Sequence, residues 1–336
     1  MSENHSYRRH YRSFFWPIVF LGAGVIWLLT NMGIIPTENL WVLVRLWPVL
    51  VIIAGVDILF ARRFAVIGAL LGLLAIAGVI YILLMGDKLG IETTPQPRTE
   101  TFSAELGNTE SATVDLNLSI QETHIHALSD SGDLILAKIG HIGEIEFTVN
   151  GTVEKLIRLR QIGVEGWYNW FLPTIQGEDL TWDIGLSPEV PIDLSVDAST
   201  GHSDLDLSGL ELDQFQYNAS TGASTIILPA STEGYETRLE ASTGSMTVVL
   251  PAESNLTVRL DGSTGKVTFD VPDGAAIQIE VRNGGTGNLE LPSRITKVEG
   301  LADRDEGTYQ TEGFDSAQYQ LVIVIEDIST GNIAFE

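Results

Sequence analysis

The sequence predicts a membrane-anchored chain in two parts: three transmembrane helices, then an all-β domain folded as a flattened β-solenoid. Three observations carry this reading. Residues 14–86 hold three long apolar stretches. Short runs beyond them alternate apolar and polar residues with period two, the mark of half-buried strands. From about residue 190 a Thr-Gly pair recurs every 21 or 22 residues.

Residues 1–13 form a basic N-terminus containing Arg8, Arg9 and Arg12. The apolar stretches that follow are Phe14–Ile35, Trp41–Phe60 and Phe64–Gly86. At 1.5 Å per residue each is long enough for a hydrocarbon core of roughly 30 Å. The first is too long for a cleaved signal peptide and has no small-residue cleavage site close behind it, so it is expected to remain as an anchor. Trp16, Trp41 and Trp47 stand near expected helix ends, where indole rings favour the headgroup layer. Gly22, Gly24, Gly55, Gly68, Gly72 and Gly78 offer small surfaces for helix contact.

Asp57 and Arg45 are the ionisable residues inside these spans. About one turn from a helix end, both can snorkel or pair with neighbours such as Arg62, so a structural role is favoured over an ion path. Orientation follows from the basic flanks. Arg8, Arg9 and Arg12 precede the first stretch, Arg62 and Arg63 separate the second from the third, and Asn31–Leu40 holds no Lys or Arg. Three crossings put both basic flanks on the cytoplasmic side and the β domain outside it.

Residues 87–103, with Pro95 and Pro97, read as a linker, and 104–336 as the β domain. Val114–Leu118 and Ile145–Val149 alternate as strands do. The repeat comprises Thr200-Gly201, Thr221-Gly222, Thr243-Gly244, Thr264-Gly265, Thr286-Gly287 and, two periods later, Thr330-Gly331. Four residues after each glycine stands an apolar residue: Leu205, Ile226, Val248, Phe269, Leu291 and Phe335. Such phase predicts parallel coils with Ser-Thr-Gly turns, glycine at positive φ at each corner, and threonines stacked about 4.8 Å apart in a ladder. Asn283-Gly284-Gly285 reads as a bulge, and residues 293–318 as an excursion inserted between coils.

Charge and cysteine usage exclude several classes. Residues 1–88 carry seven Lys/Arg against four acids, residues 89–336 twelve against forty, and the whole chain −25 at pH 7. A surface that acidic repels polyanions, which excludes nucleic acid and disfavours anionic headgroups. With no cysteine, disulfides, thiolate metal sites and thiol nucleophiles are impossible.

Candidate ligands are His124 with His126, and His202 with Asp204 and Asp206, each set sharing one strand face; solvent-facing polar residues are the favoured reading. No column of acids on successive coils appears: position +3 after the turn glycine reads Asp204, Thr225, Thr247, Thr268, Glu290, and position +5 Asp206, Ile227, Val249, Asp270. No enzyme, cofactor or metal site is therefore expected. Trp167-Tyr168-Asn169-Trp170-Phe171 is expected to cap the first coils or fill the core, with contact to the outer headgroup layer or a ligand as the alternatives, and Trp182, alternating with Ile184 and Leu186, to lie in the core.

The paired Trp-Pro helices, Trp16-Pro17 and Trp47-Pro48, each followed by Gly-Val, resemble the LiaI–LiaF-like transmembrane region of bacterial envelope-stress proteins. The β part resembles the toast-rack and adhesin-type β-solenoids joined to it, down to Leu180-Thr181-Trp182-Asp183-Ile184 leading into the Ser-Thr-Gly coils. The resemblance implies a bacterial multi-pass membrane protein in envelope-stress signalling, with the lipid bilayer and a membrane sensor kinase or other envelope protein as partners. An adhesin-like surface module is the alternative. Such proteins are often drawn with four membrane helices, whereas three are counted here.

Overall fold

The computed structural model describes residues 15–35, 43, 51–52, 65–85, 98–118, 122–129, 132–141, 143–162, 180–262, 265–301, 305–327 and 330–336. The chain divides into two compact units, Met1–Gln96 and Pro97–Glu336.

In the first unit, helices α1 (Phe15–Asn31) and α2 (Ala65–Met85) are free of charged residues. Pro17 lies in the first turn of α1, where a missing N–H breaks no helical hydrogen bond. Gly33, at φ 70°, ends the helix. Its N–H donates to Thr30 O and that of Ile34 to Leu29 O, satisfying carbonyls the last turn leaves open. Gly22 packs against Ile76, whose Cγ1 would stand 2.7 Å from an added Cβ, so glycine permits this helix contact. Ile26, Ile35 and Leu83 form the buried cluster, whereas Phe20, Leu21, Trp27, Leu73 and Leu74 are exposed.

Among the described residues, no helix is long and apolar enough to cross a membrane. Helix α1 has 17 residues, and side chains in α2 are described at Leu70 and from Gly72 onward. Among the described residues, two delimited helices, α1 and α2, stand in the region where three spans were expected. The expected second span lies outside the described residues except for Leu43, Val51 and Ile52, and so do Trp41, Trp47, Arg45 and Asp57. Trp16 falls in the first turn of α1.

The second unit is mostly β-sheet. Strands β8 (Ile192–Asp206), β9 (Leu212–Ile227) and β10 (Tyr235–Val249) each run through a corner at their Ser-Thr-Gly and stack in parallel. Strands β11 (Leu256–Asp261) and β12 (Lys266–Asp270) are the two halves of the next coil, on the two arms of β10. Alternate side chains point inward and align from coil to coil. Val196, Tyr217, Leu239 and Leu260 form one fully buried row, and Leu205, Ile226, Val248 and Phe269 another. Each such burial is worth about 1.5–3 kcal/mol relative to exposure, so neighbouring coils make the core that one coil cannot. The opposite corner stacks as well: Leu207 N–H donates to Ile227 O, Leu228 to Val249 O, and Leu250 to Asp270 O.

Coil order departs from chain order at both ends. Strands β17 (Leu321–Ile325) and β18 (Asn332–Phe335) lie between β11/β12 and the coil of β13 (Ile277–Val281) and β14 (Asn288–Glu290). The coil with Thr330-Gly331, expected last, is therefore next to last. Strands β2 (Ser111–Leu118) and β3 (Thr123–Ala127) form a coil directly against β8. Strands β6 (Glu154–Ile162) and β7 (Trp182–Leu186), later in the chain, lie outside it.

Antiparallel strands finish both ends. At one, β5 (Glu144–Asn150) pairs with β6, β4 (Asp133–His141) with β7, and β1 (Arg98–Glu105) with β4. At the other, β15 (Ile295–Glu299) and β16 (Gly307–Thr311) form a hairpin on β13. Three expectations need correction. Residues 98–103 are strand rather than linker. Within residues 293–318, expected as an excursion between coils, β15 and β16 form a hairpin at the end of the stack. Asn283–Gly285 is a turn rather than a bulge, with Gly285 N–H donating to the Asn283 side-chain carbonyl at 3.3 Å.

Candidate functional site

The strongest cluster of chemistry-bearing side chains lies on the outer face where β7, β3 and β8 run side by side. Alternation turns Ile125 and Ile184 inward, and so turns His124, His126 and Asp183 outward. Register sets His124 between Asp183 and Asp204, and His126 between Gly185 and Asp206. The two candidate sets, 76 residues apart in the chain from His126 to His202, thus become one patch.

Within the patch, His202 Nε2 is 3.2 Å from Asp204 Oδ1, and His124 Nδ1 is 3.7 Å from Asp204 Oδ2. His126 Nδ1 is 3.4 Å from Asp183 Oδ1, and Glu122 lies 3.7 Å from His124 Nε2. Asp206 is otherwise engaged: it accepts hydrogen bonds from the backbone N–H and hydroxyl of Ser208, at 3.2 and 2.6 Å. All six paired side chains are 43–54% exposed. Protonated histidines would tie three coils together through ion pairs, each weakened by solvent. Among the described residues no group of three or more His, Asp or Glu is arranged to hold a metal ion. Asp183 belongs to neither sequence set because only the folded register brings it to His126, whereas Glu122, two residues before His124, shares its face by simple alternation.

The corner ladder is a second surface. Thr200, Thr221 and Thr243 align coil to coil and are exposed, with Gly201, Gly222 and Gly244 aligned beside them. These glycines take φ of 127°, 133° and 130°. A Cβ on Gly244 would land on the carbonyl oxygen of Gly222, and one on Gly265 on that of Gly244. Asn332 N–H donates to Gly265 O at 2.9 Å and Asn288 N–H to Gly331 O at 3.1 Å. The column therefore runs from Gly265 to Gly331 and then to Thr286-Gly287. Thr264 lies outside the described residues, as does the aromatic run Trp167–Phe171.

Cations on the outer face of the coils are drawn into pairs. Arg259 bonds Glu236 at 2.8 Å and lies 3.4 Å from Glu326, which holds Arg282 at 2.8 Å; Arg282 also bonds Glu280 at 3.0 Å. These carboxylates push the Arg282 guanidinium further up. Nearby, partial desolvation and then the charge of Asp213 push the Asp193 carboxyl up from its ordinary 3.8.

Comparison with known proteins places both segments. Residues 92–249 match the family model for the N-terminal domain of toast_rack, and residues 14–59 that for the LiaI-LiaF-like transmembrane region. The chain thus joins an N-terminal segment similar to the LiaI-LiaF-like transmembrane region to a C-terminal domain similar to that of toast_rack. Both families are of non-catalytic kinds. No curated protein matches the chain.

Among solved structures, the chain is similar to a candidate cell-adhesion protein from Clostridium sporogenes ATCC 15579. Identity is 16% and the TM-score 0.47, over 71% of this chain and 99% of that one. It is also similar to a candidate adhesin from Bacteroides fragilis NCTC 9343, at 10% identity and a TM-score of 0.26, over 72% and 99% of the two chains.

Proposed function

We propose that this is a non-enzymatic, multi-pass protein of the bacterial cell membrane that modulates envelope-stress signalling through protein–protein contacts, in the manner of LiaF-type proteins that restrain a membrane sensor kinase. One observation carries the reading: a LiaI-LiaF-like transmembrane region and a toast-rack domain occur in a single chain. In this reading the N-terminus is cytoplasmic and the solenoid lies outside the cytoplasm, as the placement of Arg8, Arg9, Arg12, Arg62 and Arg63 favours. The acidic solenoid is suited to protein rather than nucleic-acid partners.

An anchor alone needs only one crossing. Three apolar stretches, two sharing a Trp-Pro motif, and glycines with open space beside them, Gly24 and Gly78, favour a membrane partner. The test replaces residues 1–86 with one unrelated transmembrane helix and follows basal activity of an envelope-stress reporter. The exchanged protein should stay anchored and folded yet behave like the null strain. If it behaves like the intact protein, the helices are anchors only and the adhesin-like reading replaces this one.

A further inference from the structure

Chain order and stacking order disagree at both ends of the solenoid, yet the connectors do not lengthen to match. Coils 235–249 and 256–270 touch, and residues 250–255 join them. Coils 256–270 and 277–290 are separated by coil 321–335, but residues 271–276 join them with a connector of the same length. One coil step is about 4.8 Å and two about 9.6 Å, and at about 3.3 Å per residue six residues span either.

Register does not prevent direct closure either. Leu256 and Ile277 both align on Leu321, and Leu260 and Val281 both on Ile325. Setting coil 277–290 directly on coil 256–270 would bring these same inward-facing pairs together. The other end repeats the pattern. Residues 187–191 step over coil 111–127 between β7 and β8, and are as short as residues 207–211 between touching coils.

We propose that coil 321–335 is an exchangeable insert: when it withdraws, coil 277–290 closes in register on coil 256–270. Withdrawal opens two coil interfaces and closure restores one. The free energy required is then near that of a single interface rather than of the whole domain. The inserted state is held by Glu326 between Arg259 and Arg282, and by Phe335 stacked on Phe269 at 4.9 Å.

Absence of native cysteine gives a direct test on the full-length protein. Thr257 and Gln278 flank Val322 on opposite sides, so their Cα atoms are about 9.6 Å apart, beyond the disulfide limit of roughly 6.8 Å; closure brings them to about 4.8 Å. The pair Thr257→Cys/Gln278→Cys, under mild oxidation in native buffer, should cross-link at least about tenfold faster than the chain unfolds globally by far-UV circular dichroism. Glu326→Gln should accelerate cross-linking severalfold more than it accelerates global unfolding. Thr257→Cys/Val322→Cys should lock the insert in place. Cross-linking of the first pair at the global unfolding rate, or not at all, would overturn the proposal.

Discussion

The hydroxyl oxygens of Tyr217 and Ser224 lie 2.6 Å apart inside the solenoid, both buried, in a core otherwise built mainly from Leu, Ile, Val and Phe. Burial pushes the phenol up, and hydrogen bonds to Ser203 and Ser224 pull it part of the way back. Tyr217→Phe leaves two buried serines without this partner and should destabilise the domain by about 1–3 kcal/mol. Adding Ser203→Ala and Ser224→Ala should recover most of that loss, because apolar groups of similar shape leave nothing unsatisfied. Urea unfolding of the three variants checks this; a neutral Tyr217→Phe would show that the hydroxyl contributes nothing.

Corner glycines should differ sharply in their tolerance of a methyl group. Gly244→Ala meets both a φ of 130° and the backbone of Gly222, and should destabilise by more than about 1 kcal/mol. Gly262 has φ 39° with open space around it, so Gly262→Ala should lose less. Thr243→Val, on the exposed side of the corner, should lose roughly 0.5–1 kcal/mol if the hydroxyl ladder contributes. Equal losses at Gly244 and Gly262 in chemical unfolding would contradict the stacked corner.

Asp193 gives a pH dependence with a definite sign. Its folded pKa is raised above the ordinary 3.8, so the folded state holds the proton longer than the unfolded state. Ionisation therefore favours unfolding, and this contribution to stability is lost as pH rises from below 3.8 through the folded value. Asp193→Asn should stabilise the protein slightly at pH 7, with the gain vanishing below that window. The effect is small because the side chain is exposed and screened. A gain that grows toward low pH would reverse the sign.

Ser245 is exposed at a corner, so Ser245→Cys reports the side of the membrane on which the solenoid lies. It should react with membrane-impermeant maleimide in intact cells, or in spheroplasts where an outer membrane intervenes. Labelling only after lysis would place the domain in the cytoplasm.

Coil-to-coil phase was readable because an apolar residue returns four places after each Thr-Gly pair: Leu205, Ile226, Val248 and Phe269 announce one inward row. Coil order was not, for the same reason. Thr286-Gly287 and Thr330-Gly331 share a phase, so either order gives identical pairs. Strand β1 was hidden because its first residues are exposed, leaving little apolar alternation beside Pro95 and Pro97. Neither β2/β3 nor β6/β7 carries the Thr-Gly signature within its strands, so their place in the stack was silent. The meeting of His124 with Asp204 depends on that same hidden register.

The antiparallel strands at both ends bear on how the molecule behaves among copies of itself. A stack that ended in a bare parallel coil would offer a ready template, and copies could add end to end into fibres. Here β5, β4 and β1 at one end, and the β15–β16 hairpin at the other, break the parallel phase before it reaches solvent. Among the described parallel strands at that end, β14 has no antiparallel partner, and it spans only Asn288–Glu290, too short to seed much pairing. Continuation of the parallel stack from copy to copy is therefore opposed by chain reversal rather than by bulk.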